Sequence, residues 1–531
     1  MPSECIPFKE TNYFSTLICD YLDQKPELQS LYHRFPKISE FEDQIKEKQD
    51  SFSSQHRAVL VNALQRQYKG NDCSEETKEN LELLTRSTTF TVTTGHQLNL
   101  FTGPLYFLYK IVSAINLAKE LKEKYQNYDF VPVYWMATED HDFDEINYFN
   151  LFGKKIQWNR KDGGAVGVFD TKGLDKVFEV FASEIGTSIN ADYLKSLFKK
   201  AYLEHETLTQ ATRFLANELF ASYGLVIIDG DDSELKQLFV PYMEKELIEK
   251  TAYEQVTPQT ETLKELGYKV QVNPREINLF YLDKGIRERI VEEEGAYLVN
   301  ETDIKWTEKE LLQELKDYPE RFSPNVIMRP LYQEVILPNL CYIGGGGELA
   351  YWLELKKYFE TVAIPFPMLL LRNSVLIQTE KQAAKIKKLD VSDKELFLKQ
   401  HELINRKVRR ISNIDINFDP QRQHLKAQFE EMYALAKQTD VTFLNAVKAQ
   451  EIKQLKGLDV LENRLLKAQK RKLSDQVKRV MVLQNELFPN QSLQERTVNF
   501  SEMYLEYGAQ LIPTLIEYLH PLDGEFTILK C

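Results

Sequence analysis

An apolar run that stops in a burst of acids, VPVYWMATEDHDFDEIN over residues 131–147, constrains this chain more than any other segment. Val131, Val133, Tyr134, Trp135 and Met136 are β-branched, aromatic or apolar, the make-up of a strand covered on both faces. Glu139, Asp140, His141, Asp142, Asp144 and Glu145 follow at its carboxyl end, where open parallel sheets place their ligand crevice. A buried strand that ends in ionisable groups describes an α/β active site. Helix capping and the helix dipole favour the same acids without any ligand.

Upstream, TFTVTT from Thr89 is a β-rich run, followed by the turn GHQLNLFTGP and by LYFLYKIVSAINLAKELKEKY, whose apolar positions recur at helical spacing. Residues 89–136 therefore read as one βαβ unit with a right-handed crossover. A further strand is expected at Leu225–Asp229, after a helical region from about Ala191 to Tyr223, and the apolar run Val362–Leu371 is expected to add another. Residues 153–172 and 268–300 alternate apolar and polar, as short antiparallel strands of inserted subdomains do. The first eighty-odd residues read as helices.

From about Leu376 to Leu487 the chain turns to long helices rich in Lys, Glu, Gln and Leu, with a capping box at Ser392 and Glu395. Leu466, Leu473, Val480 and Leu487 stand seven apart with Val477 between them, a heptad seam interrupted by Gln484. A hairpin within one chain and pairing with a second chain both fit. The basic run from Arg464 to Arg479 reads as a solvated face. An amphipathic helix over Met503–Leu519 and the segment FTIL, returning to the core, close the sequence.

Length and composition bound the partners. With 531 residues the chain is long enough for two or more domains. A net charge of −13 lacks the basic footprint of a nucleic-acid binder, so small molecules are the expected partners. Five scattered cysteines form no CxxC pair, disulfide framework or zinc-ligand cluster. No apolar leader or membrane-length run is present, so a cytoplasmic location and no membrane partner are expected.

Three further segments carry candidate chemistry. TGHQLNLFTGP puts Gly95, His96 and Gln97 in the first βα turn, with Gly103 and Pro104 ahead of a helix amino terminus whose N–H groups attract phosphate or carboxylate. A turn glycine and a capping histidine explain it equally well. In YIGGGGELAYW, Tyr342 precedes Gly344, Gly345, Gly346 and Gly347, which are entropically costly unless the backbone lies against a ligand, and Glu348 enters the next helix. A flexible loop is the plainer account. Asn325 and Arg329 in SPNVIMRP, and Arg372 after LLLL-type strand residues, suit carboxylate or phosphate recognition.

The segments TGHQLNLFTGPLYFLYKI, YWMATEDHDFDEIN, YGLVIIDGDDSELK, SPNVIMRP, YIGGGGELAYW and LQERTVN, in that order over residues 94–499, resemble one family, the bacillithiol-biosynthesis cysteine-adding enzymes (BshC). The resemblance implies an α/β fold with a Rossmann-like, nucleotidyltransferase-type core, inserted connecting subdomains, and a long helical coiled coil through which the chain forms a homodimer. The implied division is a helical segment at 1–84, a core at 85–375 with insertions at about 153–215 and 260–320, coiled-coil helices at 376–490, and a returning helix and strand at 491–531.

The implied reaction joins the carboxyl of cysteine to the amine of glucosaminyl-malate, completing bacillithiol. An amide formed in water requires an activated carboxyl, so an acyl-adenylate or acyl-phosphate made from ATP or another adenine nucleotide is expected. In that scheme Gly95, His96, Gln97, Gly103 and Pro104 hold the nucleotide, and Glu139 or Asp140 holds the cysteine ammonium. One of Glu139, Asp140, His141 and Asp142 takes a proton from the attacking amine. Arg329 and Arg372 meet the malate carboxylates, with Asn325 and Tyr342 nearby, and Gly344–Gly347 with Glu348 cover the substrates. Gly346 stands where the family usually has proline, and Asn99 where glycine is common. Consecutive residues rarely converge on one metal, so none is expected. The alternatives are a synthetase-like or nucleotidyltransferase enzyme joining another amino acid to an amine, and a non-catalytic coiled-coil scaffold.

Overall fold

The computed structural model describes residues 3–70 and 73–531. It forms two compact units, one running to Leu376 and resuming at Gln494–Leu529, the other made of Ile377–Leu493 with Lys530 and Cys531.

The first unit is organised by a five-stranded parallel sheet in the spatial order Met368–Leu371, Asn339–Gly344, Thr89–His96, Asp129–Met136, Val226–Asp229. Numbered by sequence that is 5-4-1-2-3, the doubly wound order with its reversal between the first and fourth strands. Strands covered on both faces need apolar residues throughout, and all eight residues of Thr89–His96 are buried. Three of its threonines, at 91, 93 and 94, bond laterally: Thr93 Oγ1 donates to Asn339 Oδ1 at 2.8 Å, and Thr94 Oγ1 to the Ile343 carbonyl at 2.8 Å. The crossover helix Tyr106–Lys124 buries Ala114, Leu117, Ala118 and Leu121 against Phe90, Val92, Phe130 and Ile343.

Register then aligns the strand ends. His96 pairs with Met136, Met136 with Asp229, and Gly344 with Leu371, so the residues after each strand emerge along one edge. Asn339–Gly344, the strand between Met368–Leu371 and Thr89–His96, was not anticipated as a strand, although the apolar run before the glycines is its trace. Val362–Leu371 is a strand only over Met368–Leu371, because Pro365 and Pro367 lack the N–H that a ladder requires and Ala363 has positive φ.

The insertions differ in kind. After the acids comes a hairpin, Tyr148–Leu151 with Lys154–Gln157, and then helices Leu174–Glu184, Ile189–Leu203 and Leu208–Phe220. Residues 158–172 are not strand. Between Asp229 and Asn339 lies a five-stranded antiparallel sheet in the order Lys305–Trp306, Ala296–Val299, Ile286–Glu293, Leu279–Asp283, Phe322–Pro324. Its first strand begins at Leu279, so 268–278 is loop. The expected helix Met503–Leu519 is two helices, Phe500–Tyr507 and Leu511–Tyr518, separated at Gly508, which has positive φ. FTIL lies in the strand Glu525–Lys530, which pairs antiparallel with Ser3–Pro7, a strand not foreseen.

In the second unit Asp419–Ala436 and Val441–Lys472 form an antiparallel hairpin around Phe429, Ala436 and Val447. Tyr433 donates to Glu451 at 2.7 Å, and Arg422 pairs with Asp459 at 2.8 Å. The heptad seam does not run along one helix. The long helix ends at Leu473, and Leu466, Leu473 and Val477 pack on Ile404, Val408 and Ile416 of the same chain. Gln484 is buried there, donating to the Leu396 and Leu398 carbonyls at 2.9 and 2.8 Å. The basic run is exposed at every position except the half-buried Lys470.

One buried ion pair ties a peripheral helix to the sheet. Lys48 Nζ of Phe41–Ser51 lies 3.2 Å from Glu334 Oε2, and Glu334 also accepts from Gln333 and Asn339. Removing one partner strands the other charge, so Glu334→Ala is expected to cost about 3–5 kcal/mol in denaturant unfolding. The paired change Lys48→Met with Glu334→Leu is expected to recover most of that loss.

Candidate active site

Strand ends 1, 2, 4 and 5 open on a cleft of about 770 Å³ at the reversal of strand order. Its floor is the join between the first and fourth strands, where a buried lysine makes the central contacts. Lys110, on the crossover helix, donates to the Gly95 carbonyl at 2.7 Å and pairs with Glu348 Oε2 at 2.6 Å. Glu348 accepts from the Tyr342 hydroxyl at 2.6 Å and from the Gly345 N–H at 2.8 Å. Burial alone would raise this carboxyl; the Lys110 ammonium, the tyrosine hydroxyl and the amide outweigh it and hold it below the usual range. Glu348 is thus an ionised strut that shapes the glycine turn. Gly95 lies against the Tyr342 hydroxyl and Arg329, which a Cβ there would reach at 3.4 and 3.9 Å.

His96 ends the first strand and lines the cleft with its ring packed on Tyr106 and Phe107. Burial, reinforced by Lys110, lowers its pKa to about 3, so the imidazole is neutral. Its Nε2 has no partner among the described residues, while the ring bonds the Thr102 backbone. A hydrogen bond that favours the protonated ring is one the ring donates, so the Thr102 contact uses Nδ1–H and Nε2 presents a lone pair. That nitrogen accepts a proton or a hydrogen bond; it does not hold a phosphate oxygen.

The other residues expected at a nucleotide divide. Gly95 and Gln97 line the cleft, and Gln97 donates to Asp140 Oδ2 at 2.8 Å and Glu145 Oε2 at 3.0 Å. Gly103 and Pro104 lie off the cleft. The turn before the crossover helix is closed on protein: Asn499 Nδ2 donates to the Phe101 and Gly103 carbonyls at 2.8 and 2.6 Å. The N–H groups of Phe101, Gly103 and Leu105 bond Tyr202, Leu100 and Val498. The amides of Phe101, Gly103 and Leu105 are thus spent within the protein and not on an anion.

The acid segment forms the second wall, with Glu139, Asp140, His141 and Asp142 all on the cleft. Glu139 is linked to the neighbouring strand end. Lys236 Nζ, buried in helix Ser233–Glu249, pairs with Glu139 at 2.6 Å and with Asp231 at 2.9 Å. Burial raises Glu139 above the usual range despite Lys236, and Asp231 adds to the rise. Asp140 Oδ1 accepts the N–H of His141 at 2.8 Å, which organises the turn. His141 Nδ1 lies 2.5 Å from Arg287 Nη1, and a guanidinium only donates, so the proton of that ring sits on Nε2. His141 therefore has no free lone pair for a substrate proton. Asp142 is exposed and caps nothing through its side chain.

Of the residues expected to meet substrate, Arg329, Tyr342, Gly345, Gly346, Gly347 and Glu348 line the cleft, and Gly344 does not. Arg329 keeps Nη2 unpartnered, while Nη1 donates to Gln333 at 3.1 Å. Asn325 and Arg372 line it too, but both are engaged. Asn325 Oδ1 accepts from Ile327 and Met328 at a helix start, and its Nδ2 donates to Asn278. Arg372 pairs with buried Glu495 at 2.7 Å and also donates to the Asn373 carbonyl and to Ser374 Oγ. Sequence reasoning missed Lys110, Lys236, Arg275, Arg287 and Arg289. A single lysine inside the apolar helix run LYFLYKIV signals Lys110; Arg287 and Arg289 sit on a strand face and Arg275 in the loop before that sheet, with no local signature.

Among the described residues, no group of three or more His, Cys, Asp and Glu is placed to hold a metal ion, and no helix is long and apolar enough to cross a membrane.

A doubly wound sheet with a charged crevice at its reversal point, walled by inserted subdomains, defines a Rossmann-like enzyme that handles small polar molecules. Family models agree in detail: the bacillithiol biosynthesis BshC N-terminal Rossmann-like domain matches residues 1–373, and the BshC C-terminal coiled-coil domain matches 375–531. The chain belongs to the BshC family. Relatives named "Putative cysteine ligase BshC" include those of Christiangramia forsetii, 61% identical over 100% of this chain and 99% of the relative, and of Flavobacterium johnsoniae, 59% identical over the whole of both. That of Cytophaga hutchinsonii is 39% identical over 99% of this chain and 98% of its own.

The neutral His96 sets a pH test. Its pKa falls from 6.5 to about 3 on folding, so between those values the unfolded chain binds the extra proton, and stability drops as pH falls through this window. Nitrogen-detected NMR is expected to find the His96 ring unprotonated down to about pH 4.

Proposed function

We propose that this chain is the cysteine-adding ligase of bacillithiol biosynthesis, forming the amide between the carboxyl of cysteine and the amine of glucosaminyl-malate. The observation that carries this reading is full-length identity of up to 61% to relatives named as cysteine ligases. The cleft supports it chemically, because amide formation needs a proton acceptor beside an attacking amine and fixed charges that hold zwitterionic and anionic groups apart.

The attacking ammonium must lose a proton before its nitrogen bonds the carboxyl carbon and the activating group leaves with its electron pair. Glu139 is the acceptor best matched to that step, since burial raises its proton affinity and it lines the cleft. His96, with its pKa near 3, is too weak a base near neutrality. Asp140, oriented by Gln97, suits the cysteine ammonium, and the His96 lone pair suits an N–H or S–H of the same substrate. Activation by ATP or another adenine nucleotide is part of the proposal; bound, it supplies phosphoryl or adenylyl transfer to the cysteine carboxyl. His96, Gly103 and Pro104 do not fit its phosphates, so no step is assigned to them. We further infer a cytoplasmic location, no nucleic-acid partner and a homodimer. Exposed Leu435, Val441, Phe443, Val460 and Leu461 on the helical hairpin favour pairing there.

Purified protein with cysteine, glucosaminyl-malate and ATP is expected to yield bacillithiol by mass spectrometry, with nucleotide converted in step. No thiol product, or product from another amino acid instead, overturns the reading. Glu139→Gln is expected to lower kcat by about 10²–10⁴-fold. Asp231→Asn removes a like charge, lowers the Glu139 pKa, and is expected to move the acid limb of the kcat/KM profile to lower pH. Light scattering is expected to give twice the 62.1 kDa chain mass.

A further inference from the structure

The cleft wall that faces the strand-end acids comes from the inserted antiparallel sheet. Phe280 pairs directly with Arg289, and strand alternation sets Arg287 on the same face. All three line the cleft, with Arg275 from the loop before them. Arg287 is already matched, with its guanidinium over the Phe280 ring at 4.1 Å, bonded to His141 and surrounded by Asp140, Glu139 and Asp142. Arg275 and Arg289 are different: both are exposed, and neither has an anionic partner among the described residues. Arg372 and Arg329 each keep a single unpartnered nitrogen, Nε and Nη2, and not a free two-nitrogen fork, since Arg372 is held by Glu495 and Arg329 by Gln333.

We propose that Arg275 and Arg289 form a dicarboxylate subsite that takes the malyl end of the amine substrate. This rests on the ligase reading and adds where the acceptor binds and which way it points. Two unmatched guanidiniums on one wall fit two carboxylates, each through a planar two-donor fork. With the malyl group held there, the amine, on the sugar carbon next to the glycosidic link, faces the Glu139 side of the same cleft. Cysteine, a zwitterion with one carboxylate, is left to the sheet-edge floor around His96 and Arg329.

The test separates the two substrates. In Arg275→Gln and Arg289→Gln, KM for glucosaminyl-malate is expected to rise roughly tenfold, while KM for cysteine stays within about twofold. Arg496→Gln, another exposed cleft arginine, serves as the comparison. Calorimetry with L-malate alone reads the subsite without the reaction: wild type is expected to bind and the Arg275/Arg289 double variant to lose binding. An unchanged KM for glucosaminyl-malate, a rise in Arg496→Gln instead, or equal malate binding in the double variant overturns the subsite. Malate binding that depends on both arginines, with no product from cysteine and glucosaminyl-malate, upholds the subsite and overturns the ligase reading.

Discussion

The Lys110–Glu348 ion pair is the contact on which the crevice depends. It bridges the carboxyl ends of the first and fourth strands, where the strand order reverses while the pairing stays parallel. A lysine buried in the crossover helix is costly unless it is fully matched. Here it bonds one strand-end carbonyl and a carboxylate that itself holds the glycine turn. The Tyr342 hydroxyl, donating to the same carboxylate, completes the set. The floor is therefore rigid and charge-balanced before any substrate arrives.

From that floor the cleft divides by charge. The acids after Met136 are joined through Lys236 to Asp231 on the neighbouring strand end, which leaves one buried ammonium between two half-buried carboxylates. Such an arrangement favours a carboxyl of raised proton affinity. The inserted sheet supplies arginines on the opposite side, and His96 lies between them as a neutral acceptor. A neutral imidazole is what burial dictates, and Lys110 and Arg372 further oppose its protonation. The same burial that removes His96 from phosphate binding suits it to a polar substrate hydrogen.

Much of the fold was legible because strand and helix periods leave a local record. Thr89–His96, the crossover helix and Asp129–Met136 follow from hydrophobic patterning alone. The interior strand Asn339–Gly344 was obscured, since its burial on both faces erases alternation and its glycine end reads as a loop. Leu466 to Leu487 kept a seven-residue spacing, but the helix breaks at Leu473 and the seam closes on Ile404 and Val408 of the same chain. Spacing records which residues are apolar without recording what covers them.

At the site, the acids, His96 and the glycine turn could be listed from sequence because each occupies a strand end, a position that topology makes functional. Their states could not. Whether His96 is charged, whether Arg372 is free, and whether the Gly103 turn is open depend on Lys110, Glu495 and Asn499, residues distant in the chain whose contacts exist only after folding. Sequence by itself determined the family, the parallel core and the residue types at the crevice. Tertiary structure decided which of those groups remain available, because hydrogen bonding and burial are set by neighbours brought together from across the chain.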